Sequence, residues 1–186
     1  MSDQGTAPWY SGSYPMSTYA MGDGIYAGKL NTSISIAAQA AAQSASKPIN
    51  YIDSDAYCFT SGGSGLTCSG GNQFAANDNG FATSIAQRYS VREDGVNPCT
   101  ATATEVCYGD WYLPSKIEMT LLCASLSSIS GSGWSSLSIS RYWTSTEASY
   151  GSAWGIGLND ENTCVTPGTY YTSGSPTYNI RAIRSF

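Results

Sequence analysis

Six cysteines, Cys58, Cys68, Cys99, Cys107, Cys123 and Cys164, restrict what this chain can fold into more than any other feature. None stands in a C-x-x-C pair, so the zinc-ribbon and thioredoxin patterns do not fit. An even count at wide spacing points to a disulfide framework and an oxidising compartment. Fifteen pairings are open. The reading adopted is Cys58–Cys68 and Cys99–Cys107 as staples of short polar loops, with Cys123–Cys164 tying a helix to a distant loop. The competing reading is six reduced, buried thiols in a cytosolic protein. A chain rich in Ser, Thr, Gly and Tyr and poor in Lys favours the extracellular side of that choice.

Charge and residue absences exclude several chemistries. The 186 residues include no His, 8 Lys+Arg and 13 Asp+Glu, for a net charge of −5. Without His there is no Ser-His-Asp or Cys-His catalysis and no His-ligated zinc. The acidic balance argues against nucleic acid, whose affinity comes from neutralising phosphates. Charged residues are 11% of the chain, well below the usual ~25%. With 41% hydrophobic and 12% aromatic residues, the composition is not that of a disordered chain. The length fits one domain, with roughly 70% of the extended-chain surface buried on folding. No apolar run reaches the ~18–20 residues of a membrane span. Met1-Ser2-Asp3-Gln4 shows neither a basic n-region nor an apolar h-region, as expected of a mature or excised domain.

The pattern along the chain is helices first and strands last, which predicts an α+β fold with antiparallel sheet. Residues 1–23 read as an irregular arm or first edge strand, and 24–186 as a single domain. The Ile34/Ile36 alternation predicts a short strand within 24–36; Ala37–Ala45 is compatible with helix, and Pro48 ends the segment. Residues 58–72 are a glycine-rich excursion. Asn77-Asp78-Asn79-Gly80 is a turn and helix start. Phe81, Ile85 and Tyr89 then share one face of a short helix ending near Arg88. Residues 90–109 form a loop holding Cys99 and Cys107. Ser115 and Glu118 make a capping box, with Ile117, Leu121 and Leu122 as the buried stripe of the next helix and Met119 beside it. Residues 127–140 are a Ser/Gly loop around Trp134. Strands follow at Arg141–Ser145, at Ser152–Gly157 with Trp154 and Ile156 on one face, and at Asn179–Arg184. A long polar loop, 158–178, lies between the last two.

Gly109-Asp110-Trp111-Tyr112-Leu113-Pro114-Ser115-Lys116-Ile117-Glu118-Met119 resembles the "DWYLPSKDEL" helix entry of the Legionella collagen-like protein C-terminal domain family. Tyr142-Trp143-Thr144-Ser145-Thr146-Glu147 resembles its "YWSSTE" element, Ala153-Trp154 its "AW", and Asn179–Phe186 its closing "RVRAIRxF". The resemblance covers residues 109–186, with a weaker match at Asn79-Gly80-Phe81-Ala82-Thr83. It implies a C-type-lectin-like fold: two helices, small antiparallel sheets and long loops. It also implies a secreted or surface-displayed bacterial or phage module at the tip of a larger protein, and no catalytic motif. The motifs read as framework. Trp111 and Leu113 would pack beneath the capped helix, Trp143 and Trp154 would anchor the core from neighbouring strands, and Arg181 and Arg184 would lie on the polar side of the last strand or pair with Glu118 or Glu147.

Three kinds of site are open to these residues. The Glu-Pro-Asn, Gln-Pro-Asp and Trp-Asn-Asp elements of calcium-dependent sugar-binding lectins are absent. Asn159, Asp160 and Glu161 are the nearest oxygen cluster suited to calcium, against a solvated turn before Cys164, which is the favoured reading; no cofactor is expected. Asp53, Asp55 and Asn77-Asp78-Asn79 read as turn and cap residues before they read as ligands. Tyr150, Tyr170, Tyr171 and Tyr178, with Trp134, stand in or beside polar loops, as tyrosines of adaptable binding surfaces do. Tucked loop aromatics are the alternative. A carboxylate pair, Glu147 with Asp160 or Glu161, is the only arrangement open to glycoside hydrolysis. The formylglycine-generating enzymes, which share the broad fold, have signatures that do not appear.

The expectation is therefore a non-enzymatic extracellular adhesin or receptor-binding domain. Its partner would be a glycan or protein on another cell surface, met by residues Glu147, Tyr150, Asn159, Asp160, Tyr170, Tyr171 and Tyr178 in the 146–151 and 158–178 loops. The alternative is an assembly component of a pilus tip, surface filament or phage tail, motivated by the tyrosine-rich 9–26 segment. The acidic balance speaks against a broad basic patch for sulfated polysaccharide.

Overall fold

In the computed structural model, which describes residues 3–9, 17–44, 81–94, 97, 99, 106–125, 140–158, 168–171 and 177–185, the capping box forms as its spacing predicts. Ser115 N donates to Glu118 Oε2 at 2.8 Å, and Glu118 N donates to Ser115 Oγ at 3.2 Å. The helix it opens spans Lys116–Ser125. Its inward side is Glu118, Met119 and Cys123, with Leu122 packed against them, while Ile117 and Leu121 are exposed. The expected Ile117/Leu121/Leu122 stripe is thus rotated. Glu118 is drawn inward by donors from two other segments, and its neighbours turn with it.

Ten elements lie along the described residues: β1 (Thr6–Ala7), α1 (Ala27–Ser44), α2 (Ala82–Arg88), β2 (Val91–Arg92), β3 (Cys107–Tyr108), α3 (Lys116–Ser125), β4 (Arg141–Ser149), β5 (Ser152–Gly157), β6 (Gly168–Tyr171) and β7 (Tyr178–Asn179). The fold is α+β. Five strands form one sheet in the order β1-β7-β4-β5-β6, and β2 and β3 form a second, antiparallel one. The five-stranded sheet is not wholly antiparallel as expected. β7 runs parallel to β4 and antiparallel to β1, because it enters beside β4 by a crossover and not by a hairpin. The 158–178 stretch is not all loop either: β6 lies within it and pairs with β5, Tyr170 opposite Ala153 and Tyr171 opposite Ser152.

The Ile34/Ile36 strand is overturned. Both residues belong to α1, an 18-residue helix rich in alanine, the strongest helix former. Its buried side is polar: Asn31, Thr32, Ser35 and Gln39 are all buried beside Ile36. Each finds a partner. Thr32 Oγ1 accepts from Leu113 N at 3.1 Å, Ser35 shares a hydroxyl bond with Thr83 at 3.2 Å, and Gln39 Nε2 donates to Ser35 Oγ at 3.0 Å. α2 forms where expected and ends at Arg88, but Phe81 and Tyr89 flank it in extended backbone and its buried residues are Ala82, Thr83, Ser84 and Ala86, so Phe81, Ile85 and Tyr89 are not one helical face.

Adjacent β4 residues point to opposite faces and feed two cores. Trp143 joins Trp9, Trp111, Leu113, Val91 and Ile180, whereas Tyr142 joins Met119, Cys123, Ile156 and Leu158 under α3. Trp154 is only half-buried, with the Lys116 ammonium 4.6 Å from its ring centre. It is a flank of the core and not the anchor expected.

Thr6–Ala7 of the N-terminal segment form an edge strand, and Trp9 just after it reaches the core. Trp9 Nε1 donates to Thr144 O at 2.8 Å, and Trp143 Nε1 donates to Ala7 O at 2.9 Å. Arg181 is 1% exposed and pairs with Asp3 at 2.6 Å, and Arg184 lies 5.0 Å from the Tyr108 ring centre. Arg181 does not take the polar-face or Glu118/Glu147 position expected, because its acidic partner, Asp3, comes from the other end of the chain.

Cys99 and Cys107 are disulfide-bonded with Cα atoms 6.0 Å apart, as expected. Cys123 is also disulfide-bonded, so the all-reduced reading fails. The Cys58–Cys68 pairing and Cys164 lie outside the described residues. No described helix is long and apolar enough to cross a membrane.

Candidate functional site

Two buried glutamates, Glu118 of the 109–119 motif and Glu147 of the 142–147 motif, converge on residues 18–28. Glu118 begins as the capping-box residue of α3, yet its Oε1 also accepts from Tyr26 N at 2.7 Å and Tyr112 Oη at 3.2 Å, and its Oε2 accepts from Gly28 N at 3.1 Å. One carboxylate therefore serves the amino-terminal ends of both α1 and α3, where helix dipoles favour negative charge. Glu147, 2% exposed, uses Oε2 alone to accept from Thr18 N, Thr18 Oγ1 and Tyr19 N, each at 2.7 Å.

The remaining contacts fasten the same segment. Asn31 brackets Gly22, accepting from its N–H at 3.0 Å and donating to its carbonyl at 2.7 Å. Asp23 accepts from Ile117 N at 3.0 Å and pairs with Lys116 at 2.6 Å. Thr146 Oγ1 accepts from Lys116 N at 3.0 Å and donates to Gly22 O at 3.1 Å. Gly28 sits so close to the start of α3 that a Cβ there would meet Glu118 Oε2, as well as Leu113 O and Ser115 N at 2.7 Å.

This clamp fixes two tyrosines in an unusual state. Tyr19 and Tyr26 have φ of 62° and 69°, a region that costs a bulky residue about 1–3 kcal/mol and that clusters at ligand-contacting segments. In both, the backbone N–H is the group held by a buried glutamate. Both rings face solvent, at 76% and 65% exposure. Met21, Ile25 and Leu30 on the same segment are exposed, as are Ile117 and Leu121 on α3. The result is an apolar, aromatic ridge on a backbone that is hydrogen-bonded from below.

The buried surroundings of Tyr112 leave a titration signature. Burial, then the adjacent Glu118, pushes its phenol up from 10.0 to about 12. Tyr89 is also raised, chiefly by burial.

The residues expected to make contacts are dispersed. Glu147 is a buried clamp and not a rim carboxylate. Its proposed catalytic partners Asp160 and Glu161, and the calcium candidates Asn159, Asp160 and Glu161, lie outside the described residues. So do Asp53, Asp55, Asn77, Asp78, Asn79 and Trp134. Among the described residues no three acidic or thiol groups gather as a metal site would require. Tyr150 is 68% exposed at the β4–β5 turn, where Gly151 takes φ 72°. Tyr170 and Tyr171 stand on β6, a strand bound to β5. Tyr178 is half-buried with its ring 4.4 Å from Trp143, and it accepts from Arg141 at 3.3 Å, a framework position. Of the ridge residues, Tyr19, Met21, Ile25 and Tyr26 leave a trace in the sequence as part of the tyrosine-rich 9–26 segment, and Leu30 leaves none.

No family model, curated protein or solved structure matches this chain.

Proposed function

We propose that this chain is a non-enzymatic recognition domain of C-type-lectin-like architecture, displayed outside the cell on a bacterial or phage surface. It meets a glycan or protein on another surface through the Tyr19–Leu30 ridge and the neighbouring Tyr150 turn. The observation that carries this reading is the left-handed, exposed state of Tyr19 and Tyr26, each fastened to a buried glutamate. A fold gains nothing in stability by straining two bulky residues outward. A contact surface gains rings whose ordering is already done before binding. The four sequence motifs and the disulfide-bonded Cys99, Cys107 and Cys123 support the extracellular, lectin-like part.

The assembly alternative drew on the tyrosine-rich N-terminal segment. Trp9 of that segment, and Ala7 just before it, are buried in the domain's own core, which favours recognition by the ridge over exchange of the arm between subunits.

The test is binding of the intact chain to a glycan array and to whole cells, with and without EDTA. Tyr19→Ser and Tyr150→Ser are expected to weaken binding about tenfold or more, and Tyr178→Phe to leave it unchanged. Equal binding by all three variants would remove the ridge from the account. Concentration-dependent self-association in sedimentation, lost in Tyr19→Ser, would favour assembly.

A further inference from the structure

Two helices that start at the same glutamate carry apolar residues on their outer sides. In α1 the inward residues are Asn31, Thr32, Ser35 and Gln39 beside Ile36, while Leu30 is exposed and Ile34, four positions on, is only half-buried. In α3 Glu118 is buried with Met119 and Cys123, while Ile117, Leu121 and Ala124, at i, i+4 and i+7, are exposed. A surface helix ordinarily gives that side to charged and polar residues. Both outer lines join the Tyr19–Leu30 ridge, because Tyr26 N and Gly28 N donate to Glu118 and Ile117 N donates to Asp23.

We propose that the ridge and the two lines form one docking face, and that its occupant is a folded protein presenting an uncharged, apolar recess. The inference rests on the ridge being the recognition surface, and it narrows the partner from glycan or protein to protein.

Area is the first argument. The exposed apolar residues of the ridge, with Ile117 and Leu121, present about 800 Å², at the ~150–250 Å² of a large side chain. The largest apolar patch of an ordinary monomer is about 300–600 Å², and one side of a standard protein–protein interface is about 800 Å².

Polarity is the second. The N–H groups of Tyr19, Gly22, Tyr26 and Ile117 are all taken by side chains of the chain itself, and Asp23 and Lys116 pair with each other at 2.6 Å. Sugar hydroxyls pressed onto this face would give up water for few replacement bonds, at a net cost. An apolar protein surface loses nothing of the kind, and exposed tyrosines are favoured anchors in such contacts. An anionic bilayer calls for a basic polar face, where this face has Lys29 and the already paired Lys116. A second copy would bring its own net charge of −5 against the first.

The test is binding of the intact, oxidised chain to the whole cells that it recognises, after the cells are treated with proteinase K or with periodate, which cleaves the vicinal diols of glycans. Protein-free phosphatidylcholine vesicles are the lipid probe. Proteinase K is expected to abolish binding, periodate to leave it within about twofold, and the vesicles to bind nothing. Leu121→Ser, on α3 and outside the ridge, is expected to weaken cell binding about tenfold with the urea midpoint unchanged, because the side chain is exposed. Binding that survives proteinase K or is lost to periodate, binding to the vesicles, self-association lost in Leu121→Ser, or undiminished cell binding by that variant would each overturn the proposal. In those cases a weakened Tyr19→Ser variant would still uphold the ridge. Absence of binding to every cell would remove the ridge and the docking face together.

Discussion

Two stretches of the chain meet at the same hydrogen bonds and behave in opposite ways. Residues 111–118 and 142–147 are mostly buried, and they carry sequence motifs. Residues 19–30 are largely exposed, hold two tyrosines in left-handed backbone, and carry no motif. The first stretch supplies acceptors from Glu118 and Glu147; the second supplies the backbone donors. The motif residues are therefore better understood as a mount than as a binding site, and the 19–30 segment in front of them as the mounted part.

The largest effect should come from breaking the mount at its hub. Glu118→Ala leaves four donors, from Tyr26, Gly28, Tyr112 and Ser115, without their acceptor. A loss on the order of 4 kcal/mol is expected in urea denaturation, since each stranded donor costs about 1–3 kcal/mol before water reaches it. A loss below about 1 kcal/mol would mean that the two helix starts are held by other contacts.

Gly28→Ala comes next. Its Cβ has no room between the two helix starts, and about 1–3 kcal/mol is expected to be lost through overpacking. If the comparison is right, the same substitution also loosens Tyr26, seen as faster hydrogen exchange at its amide. A stable variant with an unchanged Tyr26 amide would separate the ridge from the mount.

A smaller, pH-dependent effect follows from Tyr112. Its folded value, raised to about 12, lies above the unfolded 10.0. The folded state therefore keeps the proton more tightly, and this contribution is complete below about pH 10 and lost as pH rises through about 12. The urea midpoint should fall across that window. Tyr112→Phe should flatten this part of the fall, while the raised Tyr89 leaves a remainder.

The same contrast explains what was legible in the sequence. The capping box could be read because Ser115 and Glu118 are three residues apart and bond to each other. The end of α2 could be read at Arg88, but the i, i+4, i+8 spacing of Phe81, Ile85 and Tyr89 does not give its face, because Phe81 and Tyr89 flank the helix in extended backbone. α1 was half-hidden because its buried side is Asn31, Ser35 and Gln39, which no apolar period reveals. Periodicity places Ile117 and Leu121 inward, and the motif reading offers Glu118 the cap of its own helix or a pairing with Arg181 or Arg184. The donors to Glu118 at Tyr26 and Gly28 lie some ninety positions away, beyond any local rule. Arg181 finds Asp3 at the opposite end of the chain. β6 was missed because Gly168-Thr169-Tyr170-Tyr171 sits between turn-forming residues. The ridge was the least legible part, because the sign of φ at Tyr19 and Tyr26 is imposed by the clamp and not by the tyrosines.

The most direct measurement is a paired one on Tyr19→Gly: urea stability and binding to the surface recognised by the wild-type chain. Glycine adopts the left-handed backbone without penalty and removes the ring. The account predicts stability unchanged or raised by up to about 1 kcal/mol, with binding weakened about tenfold or more. A Tyr19→Gly chain that binds as the wild type does, or that loses stability in step with binding, would contradict it.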